Sequence, residues 1–159
     1  MSIRTTKPAL DREAALREYV DRFPVTAREL PDLSVDHRID VIEQTAAFVV
    51  DVLLPHAAAE EEVLYPRAAQ LLGEPDGSDA VAADRAAVRD LLAQLVSADP
   101  ADAGALQEVL YALTARLAAH FWREEELYVK LAAHGDEHGV HEVVDELAGA
   151  QGGRRFVRG

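Results

Sequence analysis

Two stretches of this chain repeat apolar residues at alternating steps of four and three, and each repeat is broken by a histidine and a glutamate four residues apart. One stretch reads Ile42, Ala46, Val49, Leu53, His56, Glu60 and then Val63 or Leu64. The other reads Leu106, Leu110, Leu113, Leu117, His120, Glu124, Leu127 and Leu131. This spacing puts side chains on one buried face of an α-helix. Residues four apart lie one turn from each other on that face. Both His-x-x-x-Glu pairs therefore stand where the pattern calls for leucine, and each presents an imidazole and a carboxylate to the interior. An unpaired carboxylate is costly to bury, and two in one core also repel. A divalent cation held by imidazole and carboxylate compensates both directly. The competing reading is a hydrogen-bonded core histidine with a glutamate at the rim; two matched pairs in register with two stripes favour the cation.

Turn signals divide the chain into four helical segments. The first is predicted from about Asp11 to Leu30, with Leu16, Val20, Phe23, Ala27 and Leu30 on one face and a kink at Pro24. The second opens at Ser34 or Asp36, both good N-caps, and runs to Leu72 with interruptions at Pro55 and Pro66. The loop from Gly73 to Ser78 follows. The third segment covers about Asp79 to Val96, and the fourth about Ala103 to His134, stopped by Gly135. A short acidic stretch from about Glu137 to Leu147 is expected to form a helical turn or two. No segment shows sustained period-two alternation, which argues against a sheet. The expected fold is all-α, an up-down antiparallel four-helix bundle over residues 10–135. It is flanked by an N-terminal arm (1–9), a short C-terminal helical segment (136–150) and a flexible Gly/Arg-rich tail (151–159).

Composition removes several function classes. The chain has 159 residues and no cysteine, so thiolate metal sites, disulfides and cysteine nucleophiles are excluded. A formal net charge of -13 repels nucleic-acid phosphates and anionic membrane surfaces, and neither is expected as a partner. No run approaches the roughly 20 apolar residues of a membrane span, and no signal-peptide core follows Met1, so a cytoplasmic protein is expected. Glu-x-x-His pairs of the ferritin type, His-Glu-x-x-His, phosphate-binding glycine loops and nucleophile elbows are all missing.

The stretches Leu54-Pro55-His56-Ala57-Ala58-Ala59-Glu60-Glu61-Glu62-Val63-Leu64-Tyr65-Pro66 and His120-Phe121-Trp122-Arg123-Glu124-Glu125-Glu126-Leu127-Tyr128 resemble the two halves of the hemerythrin-like, or HHE cation-binding, domain. The resemblance covers about residues 10 to 135. It implies a four-helix bundle with a non-haem di-iron centre, glutamates of the two motifs bridging the metals, and O₂ or NO binding, iron handling or peroxide chemistry. The chain departs from the family pattern in three places. Helix 1 has no histidine, the family's Asp-His or Glu-His step in helix 3 reads Asp84-Arg85, and a further family histidine of helix 4 is replaced by Thr114.

Two readings follow. In the first, His56, Glu60, His120 and Glu124 hold iron or another divalent metal, as a mononuclear or a sparse dinuclear site. Asp84 and Glu125 are spare ligands, and a diatomic molecule or peroxide is the small-molecule partner. In the second, the bundle is metal-free and serves as an interaction or structural protein, with Arg85 on the helix 3 stripe (Val81, Arg85, Val88, Leu92, Leu95) neutralising the core glutamates. An exposed helix face would permit a homodimer in either case. His37 lies about 28 Å along its helix from His56, too far to share a site. His134, His138 and His141 are expected in solvent, Glu61, Glu62, Glu125 and Glu126 on an acidic surface, and Tyr65 and Tyr128 in the core.

Overall fold

A computed structural model describes residues 3–153 and, among them, contains helices and no strand. Helix α1 is Ile3–Val20 and a short α2, Phe23–Glu29, continues it after a break at Asp21 and Arg22. Helix α3 is the rod Val35–Leu72, α4 is Ser78–Ser97, α5 is Ala103–Ala133 and α6 is Glu137–Gly153. The first helix starts ahead of the expected Asp11, so residues placed in the N-terminal arm are helical, with Thr6 and Ala9 buried. The tail beyond Gly153 lies outside the described residues.

Local chemistry fixes the ends. Ser34 caps α3 by accepting from the amide of His37 at 3.3 Å, and Asp102 caps α5 by accepting from that of Ala105 at 3.0 Å. Gly73, at φ 67°, closes α3 in the left-handed conformation that glycine adopts without strain. Asp136 accepts from Gly139 at 2.9 Å and starts α6. A Cβ on Gly139 would lie 2.8 Å from Leu71 Cδ1, so α6 runs close to the end of α3 here.

The prolines of α3 do not interrupt it. Each is preceded by a widened π turn, Val49–Leu53 before Pro55 and Glu60–Leu64 before Pro66. The amide of Leu54 reaches back to Val49 and that of Tyr65 to Glu60. A proline ring clashes with the carbonyl four residues back and offers it no N–H. Widening the turn relieves the clash while the rod stays continuous, and such turns often mark functional sites.

Three apolar clusters line the interior. One holds Leu30, Ile42, Leu95, Leu106 and Leu110, and a second Val20, Phe23, Val49, Leu53, Leu113, Leu117 and Phe121. The third joins Val63, Leu64, Tyr65, Tyr128 and Leu131 to Val140, Val143, Val144 and Leu147 of α6. The C-terminal segment, expected as a helical turn or two, is a full helix, α6, whose apolar face is part of the core. Gly135 lies in the linker that ends α5, as expected, while Gly139 falls in the first turn of α6. By length and composition alone α3 could cross a membrane, contrary to the sequence-based expectation. The same composition serves a core helix, and α3 supplies Ile42, Val49, Leu53, Leu64 and Tyr65 to the interior.

Candidate metal centre

Between the second and third clusters the apolar stripes give way to polar side chains from three helices. Helix α3 brings His56 and Glu60, α5 brings His120 and Glu124, and α1 brings Glu13; Glu60 and Glu124 are fully buried. His56 Nε2 lies 2.5 Å from Glu60 Oε1 and also meets Glu13 Oε1. His120 Nε2 lies 3.3 Å from Glu60 Oε2 and against Glu124 Oε1. Glu60 thus has one imidazole at each of its oxygens. On the far side of His56, Nδ1 is 2.8 Å from the side-chain amide nitrogen of Gln151.

The carboxylates are under-satisfied. Both oxygens of Glu60, both of Glu124 and Oε2 of Glu13 are buried without a hydrogen-bond partner. Imidazole nitrogens come close to Glu60 and Glu124 without the alignment of a hydrogen bond, as donors around a shared ion would. One donor atom from each of Glu13, His56, Glu60 and Glu124 falls within 4.8 Å of the others. An ion holding nitrogen and oxygen ligands at roughly 2.0–2.2 Å spaces its donors up to about 4.4 Å apart. Donor set and burial therefore fit a divalent cation.

Electrostatics agree. Burial alone would lower the pKa of His56, but the charge of Glu60 and the hydrogen bond to Glu13 push it up to about 10. Burial raises Glu60, yet the charge of His56 and the close approach of both imidazoles hold it well below the usual carboxylate range. Burial, and then the charges of Glu60 and Glu13, drive Glu124 well above that range. Without a cation the cluster keeps protons in order to shed charge. The buried phenols of Tyr65 and Tyr128 are also raised, first by burial and then by the neighbouring glutamates.

The sequence matches the family model for the Hemerythrin HHE cation binding domain over residues 10–132. The chain belongs to the hemerythrin HHE family. No curated protein and no solved structure matches it.

In this hemerythrin-family chain the helix 1 imidazole implied by the resemblance is absent, and a carboxylate, Glu13, meets the cluster from that helix. Glu13 lies inside the expected first helix but was missed because its stripe was read only from Leu16. Ala9, Glu13, Leu16, Val20 and Phe23 continue the four-three stripe, so the signal was present. Gln151 was missed because it fell in the expected tail.

Asp84 is buried but bonded to Arg123, with Arg116 at 3.8 Å, and stands outside the donor cluster. It lines a small apolar void of about 20 Å³ with His56, His120, Leu53, Val88 and Phe121. Glu125 is exposed and paired to Arg17 at 2.8 Å, which removes it from the candidate ligands. Arg85 bonds Glu61 at 2.9 Å, not Glu60 or Glu124. From Val81 both 84 and 85 lie near the core face, and the helix turns Asp84 inward. Thr114 donates to the Leu110 carbonyl at 2.7 Å. His37 sits at the α3 cap, and His138 and His141 are exposed beside Glu142 and Asp145.

Proposed function

We propose that this hemerythrin-family protein holds a non-haem metal, iron first, at Glu13, His56, Glu60, His120 and Glu124. One observation carries the reading: five buried carboxylate oxygens without hydrogen-bond partners converge with two imidazoles. Glu60, with an imidazole at each oxygen, would be the ligand best placed to be shared in a dinuclear centre, with Glu13, His56, His120 and Glu124 supplying the other protein donors. Bound iron would supply Lewis-acid and one-electron chemistry toward O₂, NO or peroxide. Leu53, Leu117 and Phe121 border the centre on one side, and Tyr65 and Tyr128 lie near its glutamates. The void beside His56 and His120 has room for about one water-sized molecule, which suits a small neutral partner.

The metal-free alternative rested on Arg85 neutralising Glu60 or Glu124. Arg85 pairs with Glu61 instead, and among the described residues the two histidines are the cationic groups paired with those carboxylates. Elemental mass spectrometry of the untagged protein, with an optical spectrum of the same sample, tests the proposal. About two irons per chain is the expected result, and about one would select a mononuclear site. No metal, even after anaerobic reconstitution with iron(II), would overturn it.

A further inference from the structure

Helix α6 lies beyond the span matched to the family, yet it reaches the metal centre. Val140, Val143, Val144 and Leu147 bury its inner face, and Gln151 continues that face by one more turn. Its side-chain amide nitrogen sits 2.8 Å from His56 Nδ1, while His56 Nε2 faces Glu13 and Glu60. Gln151 Oε1 is buried with no hydrogen-bond partner among the described residues. We propose that Gln151 is a positioning residue for the centre, holding His56 with Nε2 toward the carboxylates, so that metal retention depends on the C-terminal helix.

The chemistry needs an amide at this position. An imidazole that gives Nε2 to a metal carries its proton on Nδ1, and that N–H requires an acceptor. An imidazole whose proton is on Nε2 leaves Nδ1 bare and requires a donor. A primary amide serves both cases by a half-turn of its terminal torsion, since it offers NH₂ on one side and a carbonyl on the other. A charged or metal-bound His56 carries a proton on Nδ1, and Oε1 is the group that would accept it after that half-turn. The ring keeps its orientation in both states.

The inference rests on the metal reading, and two readouts on the full-length chain separate them. Chelator-driven release of iron(II) from the loaded protein should be roughly 10- to 100-fold faster for Gln151→Leu, the range seen when an outer partner of a ligand is lost. The thermal midpoint without metal should not move, and Gln151→Glu, which restores an acceptor, should recover slow release. Release from Gln151→Leu at the wild-type rate, or a rise in rate that only follows a fall in the metal-free midpoint, would overturn the proposal. Nitrogen-15 spectra of the metal-free protein give the second readout. The Nδ1 resonance of His56 should shift in Gln151→Leu while that of His120 stays; an unmoved His56 would overturn the proposal too. If wild type takes up no metal, the functional reading fails by itself, and the His56 resonance still decides whether Gln151 holds the ring.

Discussion

At the scale of single residues, the centre is a local conflict that the rest of the core tolerates. Glu124 is fully buried, and its oxygens have no hydrogen-bond partner. Glu124→Gln keeps the shape and removes the charge. The metal-free variant should therefore melt higher than wild type at pH 8, by about 1 kcal/mol or more in stability. The same variant should lose stoichiometric metal, and calorimetry with elemental analysis on one preparation checks both. Glu13→Ala removes a candidate ligand. Its loss should weaken iron(II) binding by more than the roughly 10–100-fold attached to outer partners, read by competition with a chromophoric chelator. Arg85→Ala tests the discarded role. The Arg85–Glu61 side chains are 22% and 24% exposed, so solvent screens them in part. The variant should lose only about 1 kcal/mol in urea titration, whereas orphaning a buried core charge would cost about 3–5 kcal/mol.

At the scale of elements, α3 and α6 carry most of what the fold adds. Helix α3 must pass two prolines and still keep His56 and Glu60 in phase with Leu53 and Leu64. The π turns let it do so. Proline punctuation in the sequence announced breaks, because a regular α ladder cannot absorb the missing N–H; the widened ladder can. Helix α6 was legible as a weak acidic segment only. Its Val140, Val144, Leu147 and Gln151 follow the four-three spacing, but two glycines near its start masked the pattern. Leu147 is fully buried in the cluster around Tyr65 and Tyr128. Leu147→Ala should destabilise the chain by about 2–5 kcal/mol, measured as a shift in urea midpoint at constant slope. A frayed, undocked segment would tolerate the change with almost no effect.

At the scale of the whole molecule, protonation and metal binding are linked through the centre. The pKa of His56 stands at about 10 in the metal-free fold against a reference value of 6.5. A group raised on folding stabilises the fold fully below its unfolded value and ceases to do so as pH climbs through the folded one. Metal-free protein should thus lose stability between about pH 6.5 and 10. Glu124, also raised, acts in the same direction from the carboxylate range upward. Glu60, which is lowered, contributes above its unfolded value and loses its effect only in acid. Metal binding displaces these protons, so the gain in thermal midpoint on adding iron(II) should be larger at pH 8 than at pH 6. A gain independent of pH would mean that the ligands carry no protons in the metal-free fold. Uptake in a weakly buffered solution should release protons, detectable with an indicator dye.

The sequence alone determined the helices, the two interior His-x-x-x-Glu pairs and the family they announce, because periodicity and spacing along one helix are local properties. It also held Glu13 on an unread stretch of the first stripe. Tertiary structure decided which partners each charge meets. Arg85 went to Glu61, Glu125 to Arg17 and Asp84 to Arg123, since residues at adjacent helical positions point tens of degrees apart and packing selects between them. It decided as well that a terminal helix joins the core and brings Gln151 to His56. That contact spans 95 residues of chain, and no local pattern encodes a distance between two helices.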